Sequence, residues 1–249
     1  MVNKNILCFI YNKVGIECLR FLIQKFEHDF YTVVFHDKCS NEVEEFKKYS
    51  NVCFIPLNSF VVDKFKNRNF DWLLSLCCGY IFPCHFLSNF EHTLNIHPGY
   101  LPFCKGNDPA VWTIQKQCKA GVTLHVISEV IDGGSIWAQE EFEYDLCIKG
   151  KELTSKLHDF SIYVFKKYWE RIRNLEIQPV VQSLLNKTEK THTRSDFIAD
   201  TYINGESIMK VKDFILKVNS HDFYPKYTAI CTLNNKKYGI TLNLEEINE

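Results

Sequence analysis

Asn95 and His97 stand two residues apart in Thr93-Leu94-Asn95-Ile96-His97, directly ahead of a loop rich in Pro and Gly. Side chains alternate faces along a strand, so the amide and the imidazole share one face while Ile96 points the other way. Pro98 biases His97 towards an extended backbone, which leaves the ring at the end of the strand with little freedom. An imidazole with an ordinary pKa near 6.5 can take a proton at neutral pH, and an amide beside it can donate a hydrogen bond. The pair is a place to hold a base beside a donor. Asp132, ahead of Gly133-Gly134, is a third polar group of interest. In isolation it is a turn residue.

The elements that must position these groups follow from the apolar pattern. Ile6–Tyr11 is a continuous apolar run, as expected of a strand buried on both faces. Gly15–Phe26 then carries Ile16, Leu19, Leu22, Ile23 and Phe26 at helical spacing. Tyr31–Phe35, Val52–Ile55 and Asp71–Cys77 are further strands, with helices expected over Asn41–Tyr49 and Ser59–Asn67 and a helical turn over Pro83–Ser88. Strands separated by single helices indicate βαβ units and a parallel sheet with right-handed connections. Thr93–His97 is the fifth strand, and ligands in such sheets bind beyond the carboxyl ends of the strands.

Further on, Ala110–Gln117 is expected to be helical. Gly121–Ile127 and Ser135–Phe142 alternate and read as paired strands. Gly150–Leu175 is the longest helix, with Leu153, Leu157, Phe160, Val164, Tyr168, Ile172 and Leu175 forming one stripe. The character changes near Gln178. Residues 178–200 are polar and read as a surface loop. Ser207–Asn219 is a short helix, and Tyr227–Leu233 and Lys236–Leu244 form a hairpin about Asn234-Asn235. This divides the chain into residues 1–177 and a smaller subdomain over 178–249.

Composition excludes several classes. The 249 residues carry a formal net charge of −1, which argues against a protein built to grip nucleic acid. No apolar run approaches the roughly 20 residues of a membrane span, and the first residues lack a signal-peptide pattern, so the expected location is cytoplasmic. Eleven cysteines are scattered without a CxxC pair, Cys8, Cys53, Cys77 and Cys231 among them in apolar strands. They read as reduced, mostly buried thiols, and no metal site is expected.

Taken together, Asn95-Ile96-His97-Pro98-Gly99, Leu101-Pro102, Gly106 and Pro109 form one half of an ordered pattern. Gly121-Val122-Thr123-Leu124-His125 and Ile131-Asp132-Gly133-Gly134-Ser135-Ile136 form the other. The pattern resembles the 10-formyltetrahydrofolate-dependent formyltransferases, most clearly over Asp71–Phe142. The resemblance implies a Rossmann-like α/β domain with a mostly parallel mixed sheet, followed by a small C-terminal helix and β-hairpin subdomain. It also implies Asn95, His97 and Asp132 as the catalytic set, with no metal. An amine attacks the formyl carbon through a tetrahedral oxyanion. Asn95 would donate to that oxygen, a contact worth roughly 3–4 kcal/mol. His97 would take the amine's proton and Asp132 would orient the imidazole.

Which amine is accepted separates the members. Methionyl-tRNA formyltransferases carry a larger, typically basic second domain, and purine-pathway members have a Gly-rich loop where this chain reads Tyr11-Asn12-Lys13-Val14-Gly15. The short tail and the HPG triplet look like the sugar N-formyltransferases. That group implies a dTDP-linked amino sugar as acceptor, most closely dTDP-4-amino-4,6-dideoxyglucose or its 3-amino relative. It also implies a role in O-antigen or other lipopolysaccharide synthesis, and a homodimer through the C-terminal hairpin. By analogy Gly79, Tyr80, Ile81, Leu101, His125, Ile127 and Val130 would line the folate pocket. Lys13, Lys105, Arg194 and Tyr224 are candidates for the sugar nucleotide. Lys105 stands where relatives often have Arg, so the planar fork is lost. A folate-dependent deformylase using water, and a non-catalytic sensor of folate or nucleotide sugar, are the alternatives. Intact Asn95, His97 and Asp132 argue against a sensor.

Overall fold

Ile6, Leu7, Cys8, Phe9 and Ile10 are all fully buried in β1 (Asn5–Ile10), as an unbroken apolar run demands of a strand covered on both faces. β1 lies inside a seven-stranded sheet in the computed structural model, which describes residues 3–58, 61–65, 68–182, 190–245 and 247. The strands β2 (Phe30–Phe35), β3 (Val52–Pro56), β4 (Trp72–Leu76), β5 (His92–His97), β6 (Ala120–His125) and β7 (Ile136–Phe142) complete it. Their order is β3-β2-β1-β4-β5-β6-β7. Pairing is parallel from β3 through to β5 and antiparallel between β5 and β6. Strands are added outwards from β1 to β3, and then on the other side from β4. The boundary between β1 and β4 is therefore the switch point at which parallel sheets open a crevice.

α1 (Lys13–Lys25) begins at Asn12, whose side chain accepts from the backbone of Val14 at 2.9 Å. That cap satisfies an orphan N–H group of the first turn. Two of the expected helices are wound more tightly than the sequence suggests. The 41–49 stretch holds a 3-10 segment at Glu42–Phe46, and the second holds one at Val61–Phe65. Residues 59, 60, 66 and 67 of that expected helix lie outside the described residues. Val43, Phe46, Val61, Val62 and Phe65 are buried, so a single short turn satisfies the apolar residues of each stretch. α2 is a single turn at Cys84–Leu87.

The long helix α4 (Gly150–Arg173) forms as expected, and Leu153, Leu157, Val164 and Ile172 of the anticipated stripe are buried. Phe165 and Trp169 are fully buried and Leu175 is exposed. The cause is an aromatic cluster in which Trp72 meets Trp169 at 5.1 Å and Trp137 at 5.5 Å. The buried face of the helix is thereby wider than the anticipated stripe and takes in Phe165 and Trp169 as well.

The chain forms two units that interleave in sequence. The first comprises residues 1–98, 122–140 and 158–183 and holds most of the large sheet; the second comprises 99–121, 141–157 and 184–249. Within the second, β8 (Tyr202–Ile203), β9 (Ala229–Leu233) and β10 (Lys236–Ile240) form a small sheet in the order β10-β9-β8. The hairpin turns at Asn234-Asn235, both at positive φ, as the sequence indicates. α3 (Pro109–Lys116), α5 (Arg194–Asp200) and α6 (Val211–Ser220) belong to this unit. α5 corrects the reading of 178–200 as a loop. Thr193 and Asp196 form a reciprocal capping box that starts the helix, and Phe197 buries its ring. Residues 183–189 of that stretch lie outside the described residues. The cysteines also differ from expectation. Cys8, Cys18, Cys39, Cys104 and Cys231 are buried, whereas Cys53, Cys84 and Cys147 are exposed, because edge strands and short turns leave side chains at the surface.

Candidate active site

β5 delivers its side chains as the alternation requires. Leu94 and Ile96 are buried on one face, at 0% and 1% exposure, and Thr93, Asn95 and His97 project from the other. Thr93 locks the strand in place: its carbonyl accepts from Trp137 Nε1 at 2.9 Å and its hydroxyl from the Ile127 N–H at 2.9 Å. The antiparallel partner β6 sets Asn95 opposite His125.

That register brings a second imidazole to the site. His125 Nδ1 lies 2.8 Å from the Val126 carbonyl. A carbonyl only accepts, so Nδ1 carries a proton towards it and Nε2 faces the site. Asn95 Nδ2 sits 3.0 Å from that nitrogen and donates to it. The contact fixes which way the Asn95 amide faces.

Asp132 closes the cluster. Its Oδ2 lies 3.3 Å from His97 Nδ1 and its Oδ1 lies 3.3 Å from His125 Nε2. A proton on His97 Nδ1, directed at the carboxylate, leaves Nε2 as the basic nitrogen. The side chains of His97 and His125 are almost wholly buried and that of Asp132 is 10% exposed, so this charge acts at short range with little screening.

The loop carrying Asp132 is pinned by its own geometry. Asp132 is left-handed at φ 51, a conformation short polar residues tolerate. The Gly133 N–H donates to the Val130 carbonyl at 2.9 Å. Gly134 has no alternative: a Cβ there would lie 1.9 Å from the Val126 carbonyl oxygen. Gln182 Nε2 then donates at 2.8 Å to both the Asp132 and Gly134 carbonyls. No local pattern in the sequence marks Gln182, since it reaches the loop from 50 residues away. His125 is legible as part of GVTLH. The resemblance assigns it to the folate pocket, and its contacts in the fold are with Asn95 and Asp132.

Other candidates divide between the two units. Tyr80 packs on Phe9 at 5.3 Å and on Phe82 at 5.1 Å, within a cluster that also takes in Ile127. Gly79 and Ile81 flank it on the exposed segment after β4, and Ile81, Val130 and Ile131 are exposed apolar side chains of the same unit. Lys13 pairs with Asp159 at 3.1 Å on the surface. Leu101, Lys105, Arg194 and Tyr224 belong to the second unit. Leu101 is buried at 1% exposure. The Lys105 carbonyl accepts from the His192 N–H at 2.9 Å. Arg194 is occupied: it donates to Asp108 at 2.7 Å, and its guanidinium lies 4.2 Å from the Phe197 ring centre and 4.3 Å from that of Tyr227. Tyr224 is exposed and lines a cavity of about 500 Å³ with Lys149, Lys151, Glu152, Ser155 and Asp222.

Comparison with known proteins places this geometry. Residues 40–167 match the family model described as formyl transferase. Over 107 residues the chain is 30% identical to the dTDP-4-amino-4,6-dideoxyglucose formyltransferase of Mycobacterium tuberculosis, covering 43% of this chain and 45% of that protein. The chain thus matches slightly less than half the length of that relative. Among solved structures, a 4-N formyltransferase from Francisella tularensis superposes with a TM-score of 0.82 at 20% identity, over 98% of this chain and 99% of that one. An N-formyltransferase from Helicobacter canadensis, in complex with folinic acid and dTDP-3-aminofucose, gives 0.71 at 17% identity, over 95% and 86%.

Proposed function

Because the chain belongs to the formyl transferase family, we propose that it moves a formyl group from 10-formyltetrahydrofolate to the amine of a nucleotide-linked amino sugar. The single observation that carries this reading is Asp132 set 3.3 Å from both His97 and His125, with Asn95 held by His125. The arrangement supplies what acyl transfer to an amine needs. Asn95 donates to the oxygen on which negative charge develops, and a donor already oriented costs no reorganisation as the charge forms. His97 Nε2 takes the proton that the attacking nitrogen sheds. Asp132 stabilises the imidazolium and holds the tautomer, and a proton then passes to the leaving nitrogen.

For the donor, the exposed Ile81, Val130 and Ile131 offer apolar contact to a flat heterocycle, and the backbone of 126–131 offers polar groups to its edge. For the acceptor, two findings support a sugar nucleotide. The partial relative in Mycobacterium tuberculosis is named for dTDP-4-amino-4,6-dideoxyglucose, and the fold similarity to the Francisella protein extends over both units. dTDP-4-amino-4,6-dideoxyglucose is the acceptor we favour, its formylated product feeding a surface glycan such as O-antigen. The C-terminal hairpin β9–β10 is the surface we favour for pairing two copies.

The test is incubation with 10-formyltetrahydrofolate and a panel of dTDP-, UDP- and GDP-linked amino sugars, read by mass. A formyl gain on a dTDP-amino sugar is expected. A gain on none of them, with formate released from the donor instead, would replace this reading with a deformylase.

A further inference from the structure

The sulfur atoms of Cys104 and Cys118 lie 3.3 Å apart in the second unit. The two residues come from different elements. Cys104 sits in the Pro/Gly loop that follows β5, and Cys118 lies just past the C-terminal end of α3. Several contacts hold them face to face. The Gln117 N–H donates to the Ile114 carbonyl and the Cys118 N–H to the Thr113 carbonyl, which turns the chain back at the helix end. The Thr113 hydroxyl donates to Cys104 Sγ at 3.6 Å. Tyr144 donates to the Thr113 and Cys118 carbonyls at 3.1 and 3.0 Å. Cys104 itself packs with Val111, Trp112 and Phe197.

The site has the features of a redox couple. A disulfide needs about 2.05 Å between sulfurs, so closure asks for movement of only about 1.2 Å. The two thiols are unequal. The hydrogen bond from Cys104 lowers the Cys118 thiol below its ordinary range, whereas the hydrogen bond to Cys118, with burial, raises that of Cys104. Cys118 is also partly exposed and Cys104 is buried. A partly exposed cysteine whose thiol ionises more readily, backed by a buried second thiol, is the arrangement of an attacking and a resolving cysteine.

We propose that Cys104 and Cys118 are a reversible dithiol–disulfide pair, closed by an oxidant of the peroxide class, that ties the 99–109 loop to the end of α3. The Cys118 thiolate attacks one peroxide oxygen, the O–O bond breaks, and the departing hydroxide leaves as water after taking a proton. Cys104 then gives up its proton and attacks the Cys118 sulfur, the S–O bond breaks, and a second water leaves. Two thiols are oxidised by two electrons and the peroxide is reduced by two. A dithiol reductant reverses the step by exchange. The loop so fixed carries Lys105 and Gly106, and Gly106 is already pressed to the His192 backbone, where a Cβ would lie 2.1 Å from the carbonyl oxygen. This inference does not depend on the formyl-transfer reading.

The experiment treats the folded full chain with a small excess of hydrogen peroxide, quenches with an alkylating agent, and maps peptides without reduction. One dominant linked peptide joining residues 104 and 118 is expected, with titratable thiols falling by two from eleven. Dithiothreitol should restore all of them. Amide exchange across 101–108 should slow in the oxidised form. Cys104→Ser should stop the reaction at a sulfenic acid on Cys118, trapped by dimedone, and Cys118→Ser should abolish both products. Circular dichroism confirms that each variant is folded. Linked peptides that join either residue chiefly to Cys147 or Cys231, or full alkylation of Cys118 after peroxide, would overturn the pairing. So would a Cys104→Ser variant that still loses two thiols.

Discussion

Two aspartates in this molecule each face a histidine, and they do so in different ways. In the first unit Asp132 stands 3.3 Å from each of two imidazoles. In the second, Asp200 is ringed at true hydrogen-bond length: Gln115 Nε2 at 2.6 Å, Lys217 Nζ at 2.8 Å and His221 Nε2 at 2.8 Å. Distances of 3.3 Å lie at the outer edge of a hydrogen bond, and catalytic contacts without substrate are commonly that long. In the proposed transfer Asp132 is coupled to His97, whose ring changes protonation during a turnover. Asp200 is clamped by donors that have no reason to move. Residue types alone would not separate the two. Position does: Asp132 and His97 meet at a strand end, whereas Asp200 and His221 close helices α5 and α6.

Electrostatics follow the same line. Burial works against the charge on Asp200, but the hydrogen bonds from His221, Gln115 and Lys217 outweigh it and hold the carboxyl at about 2. A carboxylate held below its unfolded value near 3.9 contributes stability above about pH 4, and that contribution is lost as pH falls through about 2.

The largest effect that would test the contrast is at His97. His97→Ala should lower kcat/KM for formyl transfer by roughly 10²–10⁴-fold while thermal unfolding shifts little, as steady-state kinetics and calorimetry would show. Near-normal turnover would erase the distinction between the two clusters. Next, Asn95→Ala should cost about 10²–10³-fold in kcat with a smaller change in KM, because its donor acts on charge that develops late. An effect confined to KM would recast Asn95 as a binding group.

Asp200→Asn should do the reverse. We expect a loss of about 1–3 kcal/mol in urea unfolding, from the broken network, with kcat of the folded protein retained. A large fall in kcat at unchanged stability would make the second cluster functional after all. The same variant sharpens the electrostatic contrast. The wild-type protein should lose stability between about pH 4 and 2, and Asp200→Asn should flatten that limb. The smallest expected effect is at Arg194. Replacement by Lys removes the planar group between Phe197 and Tyr227 and should cost about 0.5–2 kcal/mol, with KM for the nucleotide sugar unchanged. A raised KM would return Arg194 to the substrate.

Much of the fold is legible in the amino-acid sequence. The strands β1 to β7 stand within a residue or two of the apolar or alternating runs that mark them, because strand periodicity is set by neighbours two residues away. Asn95 and His97 are readable as one-faced partners because strand alternation is a purely local rule. Local rules fail where competition decides. The 41–49 stretch reads as helical, yet it winds as a tight 3-10 turn that buries Val43 and Phe46. The buried face of α4 is wider than its apolar stripe because Trp72, remote in sequence, packs on Trp169. α5 escapes such rules because its capping box sits in a polar run that composition alone assigns to a loop.

Local patterning already marks the alternation of strands and helices, the two polar groups at the end of β5 and the Asp-Gly-Gly turn that carries the carboxylate. These depend on backbone geometry and on neighbours a few residues away. That His125 holds Asn95, that Gln182 holds the Asp132 loop and that Asp132 lies between two imidazoles emerge from the folded chain alone. Those contacts bridge segments up to 50 residues apart, and their existence rests on sheet register and on one glycine that lets two backbones touch. A pairing that distant has no local free energy by which the chain could announce it.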